Sequence, residues 1–91
     1  MIKSFKCKHT ETLYSGKLAK RFSGIEEQAY RRLRILDSAT TLGDLANFPS
    51  NNFEALKGDR KEQYSIRINR QWRVCFKWDD APFDVEIVDY H

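Results

Sequence analysis

Arg67 and Arg73 lie in the segment SIRINRQWRVCF, residues 65–76. A pair of guanidinium groups is a good anion ligand, because each presents a planar fork of N–H donors. Glu54 and Lys57 stand just upstream, and the chain ends Asp89-Tyr90-His91. A base, an acid and several cations suffice to cleave RNA without a metal. The base takes the proton of a ribose 2′-OH, which attacks the adjacent phosphate. The acid protonates the departing 5′-oxygen, and the cations stabilise the phosphorane. Singly these residues are ordinary: a lone Glu is usually solvated, and a terminal His is usually frayed.

The elements that must position them follow from apolar periodicity. Strict alternation sends Ile66, Ile68, Trp72, Val74 and Phe76 to one side of a hairpin. Ser65, Arg67, Arg73 and Cys75 then share the other, exposed side. With Asn69-Arg70-Gln71 as the loop, Ile68 faces Trp72, Arg67 faces Arg73 and Ile66 faces Val74. A one-residue slip would bury the arginines, so the register is pinned. Like charges directly opposed on a sheet are unfavourable by up to about 1 kcal/mol. The arrangement makes sense if an anion sits between them. The alternatives are that both side chains splay into solvent or pair with Glu86 on the next strand.

The rest of the chain reads as a frame for this hairpin. MIKSFKC, residues 1–7, predicts a short edge strand guarded by lysine. Thr10 can cap a short helix carrying Leu13 and Tyr14 and ending near Gly16. A second helix opens at Ser23 with Glu26 three residues on, a capping box. It carries an apolar stripe of Ile25, Ala29, Leu33 and Leu36. Arg31, Arg32 and Arg34 fall on its other faces, where they suit either solvent or RNA. Residues 38–53 read as a turn-rich connection with one helical turn around Leu42–Leu45. A chain reversal at Gly58-Asp59 leads into strands at 63–68, 72–78 and 83–89. The expected fold class is α+β, one domain over 1–91, with two N-terminal helices packed on a mostly antiparallel sheet.

Composition narrows the function classes. The 91 residues are 41% hydrophobic with a net charge of +3. That small net charge hides alternating blocks: +6 over residues 1–36, −3 over 37–59, +5 over 60–78 and −5 over 79–91. The basic blocks suit a polyanion such as RNA, and an ordinary mixed surface suits them as well. No signal peptide and no membrane-length apolar run are visible, so a cytoplasmic location with reduced thiols at Cys7 and Cys75 is expected. Both cysteines read as small strand hydrophobes. No metal-ligand set and no cofactor motif can be assembled.

EALKGDR, followed by YSIRINRQWRVCF and a terminal DYH, resembles the HigB branch of the RelE/ParE superfamily of bacterial toxins. The resemblance spans almost the whole chain and is weakest over residues 10–52. It implies a microbial RNase-like fold and metal-independent, ribosome-dependent cleavage of mRNA in the decoding site. It also implies neutralisation by a HigA-like helix-turn-helix antitoxin, with operator DNA bound only through the antitoxin complex. By resemblance, Lys57, Arg67 and Arg73 are charge stabilisers, Tyr90 and His91 are the terminal active-site pair, and Asp89 orients its neighbours. Lys57, Arg60, Arg67, Arg70 and Trp72 are expected to contact RNA, Trp72 helping the core as well. The chain departs from the HigB pattern at Glu54, where that branch has His. The related YoeB toxins have Glu there, with a downstream Arg and a near-terminal His, so Glu54 is expected as base and His91 as acid. The competing expectation is a non-catalytic inhibitor of DNA gyrase, as in the ParE branch, whose chains generally lack these acid and base residues. A plain RNA- or protein-binding module is a third.

Overall fold

The computed structural model describes residues 1–89. Three helices, α1 (Lys8–Tyr14), α2 (Glu26–Ser38) and α3 (Leu42–Ala46), cover one side of a sheet. Its strands are β1 (Glu54–Ala55), β2 (Tyr64–Arg67), β3 (Trp72–Trp78) and β4 (Pro82–Asp89). They pair antiparallel in the order β1-β2-β3-β4. The α+β architecture matches the sequence reading, with α3 as a third helix and β1 as a strand that periodicity did not mark. Two residues are too few for an alternation signal; β1 forms because Glu54 and Ala55 pair with Ser65 and Tyr64.

The core lies between the layers. The α2 stripe buries Ala29, Leu33 and Leu36 fully. Against it pack Ile66, Val74, Phe76 and Val85, with Phe22 from a short turn at Lys20–Phe22. The apolar side chains of β2 and β3 all face this layer, as alternation requires.

Local signals at the helix starts resolve differently from the sequence reading. α2 begins at Glu26 with Ile25 in the capping position, and Ser23 makes no cap. Glu26 still reaches back, but its Oε1 accepts from the Gly24 N–H at 2.8 Å. α1 begins at Lys8, so Thr10 lies inside it and caps nothing. Its buried hydroxyl oxygen instead accepts the Ile87 N–H of β4 at 3.0 Å, tying helix to sheet. The reciprocal capping box is at α3, between Thr41 and Asp44.

Residues 1–7 form no named strand. They run alongside β4 through Lys3 N–H to Pro82 O (2.8 Å), Val85 N–H to Ser4 O (3.1 Å) and Lys6 N–H to Val85 O (2.9 Å). The contact is a single parallel bridge, Phe5 with Val85. Ladder pairing stops there because β4 is irregular: Asp84 sits at φ 51° and the β3–β4 register shifts between Cys75 and Lys77. Ser4 supports that bulge by accepting the Asp84 N–H on Oγ at 2.9 Å. The start of the segment is clamped by Asp37, whose Oδ1 accepts from Ile2 N–H at 2.8 Å and from Tyr14 OH at 2.9 Å. Burial alone would raise this carboxyl, but those two bonds, the N-terminal ammonium and Arg34 hold it below its ordinary value.

Thr10→Val keeps the shape of the residue but strands the buried Ile87 N–H. Chemical denaturation should show a loss of about 1–3 kcal/mol. An unchanged midpoint would show that the Ile87 N–H finds another acceptor.

Candidate active site

The candidate site lies on the sheet face opposite the helices, and the β2–β3 turn builds it. Asn69 Oδ1 accepts the N–H groups of Gln71 and Trp72, at 2.8 and 2.9 Å. An Asn side chain closing a turn in this way fixes the loop length, and with it the register. Ile66 pairs with Val74, and Arg67 pairs with Arg73, as the alternation predicts. Arg70 is exposed at the tip. Trp72 points toward the helices and meets Phe22 edge-on, with ring centres 5.7 Å apart. Its ring is therefore part of the helix-side packing.

The face carrying the arginines differs from the sequence reading in one respect that matters. Alternation assigns Ser65, Arg73 and Cys75 to an open surface; the structure buries all three, with Arg73 only 8% exposed. The cause is cover that periodicity cannot register. The loop before β1 folds over this end of the sheet and presents a backbone carbonyl. Arg73 Nε donates to Ser65 Oγ at 2.7 Å, and one Nη donates to Asn52 O at 2.5 Å. Glu54 Oε2 lies 4.0 Å from the same Nη. A guanidinium this enclosed needs such acceptors, since burying an unpaired charge is far more costly than burying a bonded one.

Arg67 behaves differently from its partner. It is half-buried, and its Nε donates to Asn69 O at 3.1 Å within its own turn. Arg73 is drawn the other way, toward β1. Each side chain thus has its own acceptor. Glu86 pairs with Lys6 and Arg60 instead. Glu54 is exposed, at 54% of its side chain, so its carboxylate remains open to solvent beside the fixed arginine. Lys57 is exposed just past β1, and among the described residues its ammonium has no bonded partner. Tyr90 and His91 lie outside the described residues.

The loop that holds Arg73 is itself secured from α2. Arg32 donates to Asn51 Oδ1 at 2.7 Å and to Ser50 Oγ at 3.3 Å. Asn51 is fully buried, and its Nδ2 donates to Leu45 O of α3 at 3.1 Å. Asn52 then turns at φ 45°, ψ 53°, a conformation Asn tolerates better than most residues, and aims its carbonyl at Arg73. Of the three helix arginines, Arg32 therefore serves the fold, while Arg31 pairs with Glu27 and Arg34 lies over the rings of Tyr14 and Tyr30.

Further along the same face is a second charged group, whose assembly from Glu86, Arg60 and Lys6 the sequence did not show. Glu86 Oε2 accepts from Arg60 at 3.1 Å and pairs with Lys6 Nζ at 3.5 Å. Alternation along β4 put Glu86 on this face, but Lys6 reaches it only through the non-ladder contact of residues 1–7. Between this group and Arg73 lies Cys75. Burial is the main influence on its thiol and pushes it up to about 11; Arg60, Arg73 and Lys6 oppose the rise and Glu86 adds to it. Cys7 is half-buried at the start of α1, not within a strand, and both thiols are free.

Comparison with known proteins bears on what this face does. A family model described as RelE-like toxin of type II toxin-antitoxin system HigB matches residues 3–91. Toxin HigB-1 of Vibrio cholerae is 42% identical over 83 residues, covering 89% of this chain and 87% of that protein. Endoribonuclease HigB of Proteus vulgaris is 34% identical over the whole of both chains. An uncharacterized protein of Haemophilus influenzae is 30% identical, covering 67% of this chain and 60% of its own.

Two outcomes follow from the burial of this face. Arg73→Ala should lower the unfolding free energy by at least about 1–3 kcal/mol, because Ser65 Oγ and Asn52 O lose their donor; an unchanged denaturation midpoint would place Arg73 at the surface instead. The raised thiol gives a pH signature of defined sign. The folded state keeps the Cys75 proton while the unfolded chain loses it above 9.0, so stability should fall as pH rises from 9.0 toward about 11. Denaturation midpoints of the parent and Cys75→Ala across that range would check it, since the variant should lack this part of the slope.

Proposed function

That the chain belongs to the family of RelE-like HigB toxins of type II toxin-antitoxin systems is the premise on which we propose that it is an endoribonuclease. Membership makes an antitoxin its partner. Its substrate is mRNA held in the decoding site of the ribosome, and its antitoxin is of the HigA-like helix-turn-helix kind. The complex, and not the free toxin, engages operator DNA. The place of action is the cytoplasm.

One observation carries the chemical reading: an exposed carboxylate, Glu54, stands 4.0 Å from a guanidinium held in place by Ser65 and Asn52. Glu54 takes the 2′-OH proton, and the oxygen attacks the adjacent phosphate. Arg73 is pre-aimed where negative charge grows in that step. Because its acceptors are already in place, little reorganisation is needed during the reaction. Arg67 and Lys57 supply further positive charge at the rim, and Lys57 is the more adaptable of the two. His91 protonates the departing 5′-oxygen, Tyr90 belongs to the same catalytic set, and Asp89 orients its neighbours. No metal takes part in this scheme. Arg60 and Arg70 contact the RNA backbone, and Trp72 contributes through the packing of the hairpin.

The shallow, solvent-facing arrangement also favours dependence on the ribosome. Glu54 and Arg73 supply a base and a charge, but an exposed carboxylate does not by itself orient a flexible strand for in-line attack. Positioning must then come from the complex that already holds the mRNA. A gyrase inhibitor of the ParE kind would have no use for a carboxylate poised at an immobilised arginine, and the two matched relatives that carry a functional name are HigB proteins.

Glu54→Gln tests the assignment. It removes the base while keeping the size of an exposed side chain, so thermal stability should hold. Cleavage of mRNA on translating ribosomes should fall by roughly 10²–10⁴-fold, and growth arrest should be relieved. Cleavage undiminished in Glu54→Gln would remove Glu54 from the mechanism. Growth arrest with topoisomerase inhibition and intact mRNA would overturn the nuclease reading.

A further inference from the structure

We propose that Lys6 and Arg60, gathered by the Glu86 carboxylate, form a second phosphate subsite, which takes a backbone phosphate of the same RNA strand flanking the one that is cut. This inference rests on the nuclease reading above and adds an account of how the strand lies on the protein.

Position on the sheet is the first argument. Glu54 pairs with Ser65, Ser65 with Cys75 and Cys75 with Glu86, so these residues form one rung across all four strands. Side chains along a rung share a face. Glu54 and the Arg73 guanidinium mark one end of it, and Glu86 with its two cations marks the other. Three interstrand spacings separate the ends, roughly 14 Å. A strand crossing the sheet along the rung would set one phosphate at Arg73 and bring a flanking one over Lys6 and Arg60.

Charge is the second argument. Lys6 and Arg60 meet at one carboxylate, and Lys6 is the longer-range and more exposed of the two partners. The Lys6 side chain is 58% exposed and its ammonium is 3.5 Å from Glu86. Such a surface pair is worth about 0–1 kcal/mol, so the ammonium can exchange part of that contact for a phosphate at little cost. Arg60 is more fixed: it also donates to Gln63 Oε1 at 3.2 Å, and its turn, Gly58–Arg60, leads directly from Lys57. Lys57 and Arg60 thus bracket one short turn between the two ends of the rung.

Pre-organisation is the third. Lys6 belongs to a segment that makes only one bridge with the sheet, yet it is anchored at both ends. Asp37 holds Ile2, and the Lys6 N–H donates to Val85 O at 2.9 Å. The backbone of Lys6 is therefore fixed beside β4, within reach of Glu86.

Steady-state cleavage of mRNA on translating ribosomes by the full-length protein distinguishes the outcomes. Lys6→Ala should raise KM by about fourfold near physiological salt, with kcat nearly unchanged, as expected for loss of one single-strand phosphate contact. The slope of log(kcat/KM) against log salt should become shallower by about 0.7. Glu86→Gln should shift KM the opposite way, because it removes the competing anion, and Lys6→Arg should restore the parent value. Thermal melts verify that each variant is folded. A KM unchanged in Lys6→Ala, or one that fails to fall in Glu86→Gln, overturns the subsite and leaves the nuclease reading standing. A parent protein that cuts no mRNA overturns both.

Discussion

The site depends on one nearly buried cation. Arg73 sits in the middle of the sheet with its guanidinium closed in by a serine hydroxyl and a backbone carbonyl. A charge in that position is tolerable only while its acceptors hold their places. Three separate parts of the chain must therefore agree: β2 supplies Ser65, β3 supplies Arg73, and the loop before β1 supplies Asn52. Any rearrangement that moves one of them exposes the cost of the buried charge. The same requirement that stabilises the local structure keeps the guanidinium fixed for an incoming anion.

That constraint reaches outward through the fold. The Asn52 carbonyl points at Arg73 because Asn51, the residue before it, is locked between Arg32 of α2 and the Leu45 carbonyl of α3. The helical layer thus does more than bury the apolar side of the sheet; it holds the loop that completes the polar side. On the other flank, Thr10 of α1 binds β4 through the Ile87 N–H, and the N-terminal segment runs beside β4 under the clamp of Asp37. Between these fastenings the sheet face carries an exposed carboxylate at one end and a carboxylate with two cations at the other.

The opposed arginines show how local repulsion is handled. Like charges facing each other across two strands are unfavourable, and in the structure each guanidinium bonds an acceptor of its own. Arg67 turns back to Asn69 O while Arg73 turns to the loop at β1. The division leaves one rigid cation and one nearer the surface. An enzyme that must stabilise charge at a fixed point and still admit a long polymer has use for both.

By itself the sequence determined the layer architecture, the register of the central hairpin and the identities of the residues around Glu54 and Arg73. Those features rest on local patterns: the α2 stripe, the alternation of 65–76 and the turn at Asn69-Arg70-Gln71, each a matter of neighbours within one element. The motifs EALKGDR and DYH made the family legible, though the placement of Tyr90 and His91 lies outside the described residues. Tertiary structure alone decided which polar side chains were covered. Periodicity gives the side of a sheet a residue faces but not what lies over that side, so it assigned Arg73, Ser65 and Cys75 to solvent. It could not show that Thr10 would serve β4, that Lys6 would reach Glu86, or that Asn52 would give its carbonyl to an arginine twenty-one residues on. Each of these contacts joins residues far apart in the chain, and two of them use a backbone group, which every residue carries whatever its side chain.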